Sequence, residues 1–297
     1  MPKHPHRKPA PNRPAASRPA EPEIVDPYFI VKGLAAVLGA SLILAYLTLC
    51  IVYARSAWML VLQPTHTLAS TPAALGLPFS EVHFGVDSTG QPQLDGWWLP
   101  ADTSTPRTVL LLHGVVGNMA DALPTAALYH RLGLNVLLFD YRGYGRSAAP
   151  HPSQDTLQAD AHTALNYLLD QRHLAAASIV VYGHDLAAPL ALDLCSTAAV
   201  NCPALILDAP DGDTFARVAA DPRSRAVPTS LLFHDRFPLA QPLATSPTPK
   251  LLIVHSNNPL PPPLRNARDP KTLLAVQPAD DASLTAGIQR FLDETLR

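Results

Sequence analysis

The 297-residue sequence has only three cysteines and few charged residues, and both shortages exclude classes of protein. Three cysteines cannot support a disulfide-rich scaffold, and no CxxC pair or Cys/His cluster has the spacing of a zinc site. Charged residues make up 15% of the chain, below the roughly 25% of an average soluble domain. The net charge of -2 supplies no basic field. We therefore expect no nucleic-acid partner, no metal ion and no cofactor.

The sequence opens instead with a proline-rich segment followed by a long apolar run. Residues 1–28 contain eight of the 32 prolines and almost no large apolar side chain before Ile24. Such a segment cannot bury enough surface to order itself, so we expect a disordered basic tail over 1–28. From Gly33 to Tyr53 every residue is apolar or small apart from one serine and one threonine. Because about 20 such residues cross a bilayer, the sequence predicts a membrane helix over 29–54.

Flanking charge predicts the orientation of this span. A cleaved signal peptide has an apolar run of roughly 7 to 15 residues followed by an A-x-A site. Here the apolar run is longer and no A-x-A site follows it. Only Arg55 follows the apolar run before Arg107, whereas six basic residues precede it: Lys3, Arg7, Lys8, Arg13, Arg18 and Lys32. The positive-inside rule therefore predicts a cytoplasmic amino end and an extracytoplasmic domain over 55–297, periplasmic in a bacterium.

The three cysteines fall in two different settings. Cys50 lies within the predicted span, whereas Cys195 and Cys202 are seven residues apart in the predicted domain. An oxidising compartment would allow these two to pair, and Ser196 and Asn201 indicate a turn between them. The sequence leaves two alternatives open, a disulfide or two half-buried thiols.

Short apolar runs alternate with helical patterns over the rest of the chain. Residues 81–84 and 94–99 are expected to form a hairpin through the turn at 87–90. Two apolar stripes, at 157–168 and 284–292, have helical spacing. Six further runs have the continuous apolar character of strands buried in a parallel sheet, at 109–112, 135–139, 179–182, 204–207, 251–254 and 272–276. This alternation predicts a doubly wound α/β domain.

Two motifs next to predicted strands identify a family. An HG-x-x-GN motif runs from His113 to Asn118, and residues 139–147 have the sequence FDYRGYGRS. Over roughly 60–297 the chain resembles the α/β-hydrolases, and most closely the small, lid-poor, membrane-anchored members similar to serine aminopeptidases. The resemblance implies an α/β-hydrolase fold, with a mostly parallel central sheet flanked by helices. It also implies hydrolysis by a Ser-His-Asp triad.

The nucleophile of that family stands in a G-x-S-x-G turn between a strand and a helix, called the nucleophile elbow. Here the turn is Gly183-His184-Asp185-Leu186-Ala187, so Asp185 holds the nucleophile position. Similarity to haloalkane dehalogenases and epoxide hydrolases implies that a carboxylate in this position attacks carbon directly, with no base to remove a proton. Those enzymes still use a histidine to activate the water that breaks the resulting ester.

The other two members of the implied triad are also replaced. No histidine follows His255, and the family's histidine position falls on Asp281. The family's acid stands in an H-G-x-x-D pattern, where this sequence has Asn258 and Pro259. Members of a triad act as a unit, so losing one costs about as much activity as losing all three. The resemblance therefore implies a degenerate triad.

Two backbone groups of the implied oxyanion hole do not depend on side-chain identity. They are the N–H groups of Val115 and Leu186, which the resemblance places around the substrate oxyanion. A helix amino terminus favours a negative group, so we expect Asp185 to rest ionised against these donors. The result would be a pocket occupied by the protein's own carboxylate.

The remaining polar residues of this region are expected to be structural. His184 should point to the opposite face from Asp185, because neighbours at a strand end alternate. His113 and His255 are expected to be buried imidazoles, and Asp140 is expected to hold the turn at 142–143. A solvated loop after the sixth strand is expected to contain three aspartates: Asp208, Asp211 and Asp213.

These features support two functional hypotheses of different class. In the first, the chain is a hydrolase-fold protein anchored to a membrane through 29–54, is catalytically impaired, and acts by binding an unidentified small molecule or protein. In the alternative, it is an active hydrolase of esters, amides or epoxides with Asp185 as nucleophile. Val115 and Leu186 would then supply the oxyanion hole, and an unrecognised group would activate water.

Overall fold

A computed structural model describes residues 26–149, 151–196, 202–255, 260–277 and 280–296. The chain separates into a unit of residues 1–48 and a unit of residues 49–297. The predicted tail lies outside the described residues up to position 25. Asn258 and Pro259, the predicted position of the triad acid, also lie outside them.

Helix α1 (Pro27–Ser56) contains the predicted membrane span. Thirty residues at 1.5 Å each give a length of about 45 Å, enough to cross a bilayer. The apolar segment Pro27–Leu60 has a mean hydropathy of 2.4, and none of its most apolar window is buried. These are the properties of a membrane-spanning helix, and a signal sequence near the amino end shares them.

An eight-stranded sheet forms the centre of the second unit, with the strand order β10-β9-β8-β7-β4-β6-β3-β2. The hairpin of β2 and β3 and the pairing of β3 with β6 are antiparallel, and all other pairs are parallel. The strands are β2 (Ser80–Val86), β3 (Pro92–Leu99), β4 (Thr108–Leu112), β6 (Asn135–Phe139), β7 (Ile179–His184), β8 (Leu205–Asp208), β9 (Lys250–Val254) and β10 (Lys271–Ala275). Every predicted run falls on one of these strands, which confirms the predicted sheet. A separate two-stranded sheet pairs β1 (Gln63–Pro64) with β5 (Val116–Gly117).

Helices cover both faces of this sheet because the strands are apolar on both sides. Leu110 and Leu112 of β4 belong to one hydrophobic core, and Val109 and Leu111 belong to the other. The first core is covered by α3 (Gln154–Asn166) and α4 (Ala187–Leu194), and the second by α2 (Leu123–Arg131) and α9 (Asp281–Thr295). The two predicted apolar stripes lie on α3 and α9.

Short helices fill the connections after β8 and β9. They are α5 (Phe215–Ala219), α6 (Thr229–Leu232), α7 (Ala240–Thr245) and α8 (Pro262–Arg265). Tyr53 packs into the first core, and its hydroxyl lies 3.4 Å from Thr229 Oγ1. Cys195 and Cys202, whose state the sequence left open, form a disulfide with Cα atoms 5.3 Å apart. Cys50 is a free, partly exposed thiol.

A buried lysine is the first residue of β9, the strand that leads to His255. Lys250 is completely buried, and its ammonium donates to the carbonyl oxygens of Ser246 at 3.0 Å and Arg268 at 2.8 Å. Burial lowers the pKa of Lys250 below its usual value. The methylene chain therefore packs in the core while the charged end satisfies carbonyl groups.

Replacing Lys250 with methionine should destabilise the fold, because the carbonyl groups lose their donor without gaining water. We expect a loss of about 1–3 kcal/mol in unfolding free energy, measured by chemical denaturation of the full chain in detergent. Lys271→Met is the matched control, since Lys271 also donates to two carbonyl oxygens but is only partly buried. An equal loss in both variants would contradict a special role for burial at Lys250.

Candidate functional site

The turn between β7 and α4 has the strained geometry of a nucleophile elbow. Asp185 stands between them with a φ of +52°, in the left-handed region that few non-glycine residues adopt. Its N–H donates to the Asp208 carbonyl oxygen at 3.0 Å, and its own carbonyl accepts from the Ala188 N–H at 3.1 Å. A Cβ at Gly183 would lie 2.7 Å from the Ala187 carbonyl oxygen. Strand and helix therefore approach closely, and the backbone holds Asp185 at the turn.

An arginine is the ionic partner of the Asp185 carboxylate. The Arg217 guanidinium, on α5, lies 3.8 Å from Asp185 Oδ1 and also pairs with Asp211. Burial raises the pKa of the Asp185 carboxyl above its usual value, and the Asp211 carboxylate adds to this rise. Arg217, the N–H of Leu186 and the neighbouring His184 oppose it. Within the described residues, no imidazole forms an ion pair with Asp185.

The two predicted oxyanion donors lie in buried backbone beside the elbow. Leu186 is completely buried, and its N–H lowers the pKa of the neighbouring Asp185 carboxyl. Val115 is also buried, and its carbonyl oxygen accepts from the Gln63 N–H at 2.9 Å and the Tyr144 hydroxyl at 2.8 Å. One of the two predicted donors thus interacts with the carboxyl at the nucleophile position.

Asp281 takes a structural position at a helix start. It is the first residue of α9 and is exposed, and the preceding Asp280 caps the helix by accepting from the Ser283 N–H at 3.1 Å. A carboxylate in the first turn interacts favourably with the helix dipole. Asp281 is not among the described residues that line the cavity beside Asp185.

Three polar side chains meet at the ends of adjacent strands in a cluster that the sequence analysis missed, called here the His-Asp-His cluster. Asp208 Oδ1 lies 2.6 Å from His255 Nε2, and Asp208 Oδ2 lies 3.7 Å from His184 Nδ1. Strand register explains the arrangement: His184 pairs with Asp208 across β7 and β8, and Asp208 pairs with Ile253. His255 follows two residues later, so it lies on the same face of the sheet.

Hydrogen bonds keep the Asp208 carboxylate ionised although it is largely buried. Burial alone would raise the pKa of Asp208. The His184 imidazole, 3.7 Å away, and hydrogen bonds with Tyr182 and His255 outweigh burial and lower that pKa below its usual value. The Tyr182 hydroxyl donates to Oδ2 at 2.7 Å. The Asp208 carboxylate in turn raises the pKa of His184.

A cavity of about 260 Å³ joins the elbow to the His-Asp-His cluster. It lies between the turn after β4, the start of α2 and the elbow. Its lining residues are Leu111, His113, Gly114, Val115, Val116, Asn118, Asp121, Ala122, Thr125, Tyr182, His184, Asp185 and Asp208. The cavity thus combines an apolar wall with carboxylates and two imidazoles, of which His184 is 46% exposed and His113 is buried. No three described His, Cys, Asp or Glu side chains are arranged to hold a metal ion.

Two histidine predictions need correction. His184 was expected to point to the opposite face from Asp185, but both residues line the cavity, and His184 forms an ion pair with Asp208. His255 was predicted to be buried, and its side chain is 41% exposed. His113 is buried as predicted, against the ring of Tyr141.

Two aspartate predictions were also wrong. Asp208 is not in a solvated loop, because it is the last residue of β8 and the centre of the His-Asp-His cluster. Asp140 was predicted to hold the turn at 142–143, but its carboxylate accepts from the Met119 N–H at 2.7 Å. The Arg142 N–H of that turn donates to Asp160 instead, at 2.7 Å. The strand-end spacing of His184, Asp208 and His255 was the available signal, but using it required the register of three strands.

Comparisons with known proteins agree on the fold. A family model described as alpha/beta hydrolase fold matches residues 107–245. Protein bem46 of Schizosaccharomyces pombe is 38% identical over 102 residues, which cover 34% of each chain. The uncharacterized protein YfhR of Escherichia coli is 30% identical over 106 residues, which cover 34% of this chain and 37% of YfhR. The aligned segment spans little more than a third of these relatives.

Solved structures extend the similarity over most of the chain. The Pyrococcus furiosus esterase Pf2001 superposes with a TM-score of 0.61 at 18% identity and covers 80% of this chain and 100% of its own. An alpha-beta hydrolase from Vibrio vulnificus superposes with a TM-score of 0.54 at 24% identity and covers 73% of this chain and 79% of its own. At these identities the likeness concerns the fold alone.

The His-Asp-His cluster makes stability depend on pH in a predictable direction. The folded-state pKa of His184 is raised, so its contribution is present below the unfolded value of about 6.5 and is lost as pH rises through the folded value. We therefore expect His184→Gln to destabilise the chain most below about pH 6 and progressively less toward pH 9, measured by chemical denaturation across pH. His66→Gln, which changes an exposed histidine outside the cluster, is the control. A pH-independent difference would contradict the pairing with Asp208.

Proposed function

Because this chain is an α/β-hydrolase-fold protein, we propose that it has lost the covalent hydrolysis for which the nucleophile elbow is built and acts by binding. The observation that carries this proposal is the setting of Asp185. An acid stands at the turn, a guanidinium is its ionic partner, and no described imidazole pairs with it. The protein is thus catalytically impaired at the position where its fold places a nucleophile.

Attack by Asp185 would be unfavourable for two reasons. Burial raises the pKa of its carboxyl, which disfavours the ionised, nucleophilic form. The ionised form also pairs with Arg217, so attack on a substrate carbon would have to disrupt that ion pair. An ester formed at Asp185 would then need an activated water to be broken.

The oxyanion hole is compromised by the same residue. The Leu186 N–H interacts with the Asp185 carboxyl, so a substrate oxyanion would have to compete with that carboxyl for the same N–H. Removing one oxyanion donor costs about 10²- to 10³-fold in turnover where it has been measured. The elbow therefore keeps its backbone shape while one of its two donors interacts with the protein's own side chain.

Two observations support a membrane-anchored protein with its folded unit outside the cytoplasm. Helix α1 is long and apolar enough to span a bilayer, and six basic residues precede its apolar run, whereas only Arg55 follows it before Arg107. The Cys195–Cys202 disulfide belongs in an oxidising compartment, since cytosolic thiols are kept reduced. We place the amino end in the cytoplasm and residues 55–297 outside it, in the periplasm if the source is bacterial.

The cavity of about 260 Å³ is where we propose that a ligand binds. Its apolar wall and few convergent polar groups are typical of small-molecule sites. The ligand is a small molecule, or a side chain presented by a protein partner.

Isotope labelling tests the loss of covalent chemistry directly. The purified full chain in detergent is incubated with a panel of acyl esters and epoxides in water enriched in oxygen-18, and its peptides are analysed by mass spectrometry. Attack on an epoxide gives an ester at Asp185, and its hydrolysis by labelled water would leave oxygen-18 in that carboxyl group. Attack on an acyl ester gives a mixed anhydride, which labelled water can break at either carbonyl, so turnover is the readout for the acyl esters. We expect no label in Asp185 beyond that in the exposed carboxyl of Asp281, the internal control. Label in Asp185, together with turnover that is lost in Asp185→Asn, would overturn the proposal.

A further inference from the structure

The His-Asp-His cluster contains the components of a general base that does not involve Asp185. A general base of this type consists of an imidazole facing the reaction space and a carboxylate that orients it from behind. His184 lines the cavity and is 46% exposed, while Asp208, only 13% exposed, lies 3.7 Å from its Nδ1. A Cβ at Gly114 would lie 3.1 Å from His184 Cδ2, so the glycine leaves room for the ring.

Asp208 is well suited to orient this imidazole because it is fixed from two further directions. The Tyr182 hydroxyl donates to Asp208 Oδ2 at 2.7 Å, and His255 Nε2 lies 2.6 Å from Asp208 Oδ1. A carboxylate held in this way cannot rotate freely, and its negative charge stabilises an imidazolium at His184. Tyr182 and His255 therefore act as positioning residues, whereas His184 faces the cavity.

The cavity limits what could react beside His184. A volume of about 260 Å³ admits a compact molecule, and Leu111, Val115 and Ala122 form an apolar wall for a short acyl chain. Asp121 and Asp185 on the same lining disfavour a substrate that carries a negative charge. The space is thus best matched to a small, uncharged ester.

We propose that His184, oriented by Asp208, is a general base that activates water for slow, noncovalent hydrolysis of a compact, uncharged ester in this cavity. The water oxygen forms a bond to the carbonyl carbon as His184 accepts a proton from the water, which gives a tetrahedral oxyanion. Collapse of the oxyanion breaks the bond to the leaving alkoxide, and His184 returns the proton to it. The acid product ionises into solvent, so neither a covalent intermediate nor a co-reactant is required.

This activity is compatible with the loss of covalent chemistry at the elbow and does not depend on it. General-base assistance contributes about 10²- to 10⁴-fold, much less than a complete triad. The groups that surround His184 and its cavity set the pH at which it titrates: Asp208 on β8, His255 after β9, Tyr182 on β7, Asp185 at the elbow and Asp121 before α2.

The test measures hydrolysis of short-chain nitrophenyl esters by the full chain in detergent from pH 5 to 9. We expect a rate about 10²- to 10⁴-fold above buffer that rises with pH as His184 loses its proton. His184→Gln should reduce this rate to the buffer value. Asp208→Asn should lower the rate and move its midpoint to lower pH, because the carboxylate raises the pKa of His184. His255→Gln should cause a smaller loss.

His162→Gln is the matched control, since His162 forms a similar pair with Asp193 at 2.9 Å on the other side of the sheet. Its rate should equal that of the unaltered chain. A rate no higher than buffer, or one that survives in His184→Gln, would overturn this inference and leave the proposed function intact. A rate that vanishes in Asp185→Asn but not in His184→Gln would overturn both.

Discussion

The buried carboxylate of Asp208 is the interaction on which the rest of the site depends. It stands at the end of β8, between two parallel neighbours that are followed or ended by histidines, and it is ionised because two hydrogen bonds and the His184 imidazole compensate for its burial. A buried charge is stable only when such groups compensate for lost water. The positions of His184 and His255 beside Asp208 provide this compensation.

The elbow illustrates how a fold can keep a geometry after its chemistry has changed. The turn at Asp185 depends on backbone hydrogen bonds and on the absence of a side chain at Gly183, and neither requires a serine. Once an acid occupies the turn, the nearest compensating groups are Arg217 and the Leu186 N–H. The Leu186 N–H, which would stabilise a transition state in a hydrolase, here opposes the effect of burial on the carboxyl of Asp185.

The fold similarity to esterases therefore carries limited functional information. The Pyrococcus furiosus esterase shares the architecture at 18% identity, and folds of this kind host many unrelated functions. Function has to be argued from the side chains at the strand ends. In this chain those side chains form two charged groups beside one cavity, Asp185 with Arg217 and Asp208 with its histidines.

Local pattern was sufficient to predict most of the fold. Continuous apolar runs marked each strand of the sheet, and apolar stripes marked α3 and α9, because burial on one or two faces leaves a periodic trace in the chain. The elbow was also recognisable from five consecutive residues. The nature of Asp185 as an acid and the absence of histidine after His255 were likewise plain from the sequence.

What required the tertiary structure was everything that depends on the register between strands distant in the chain. His184, Asp208 and His255 are separated by 24 and 47 residues, so no local pattern places them together. Arg217 reaches Asp185 only because α5 folds back over the end of the sheet. The sequence by itself determined which side chains are available and which segments are buried or exposed to solvent. The contacts between strand ends arise from the packing of the whole sheet. That packing determined which carboxylate the arginine and each histidine contact.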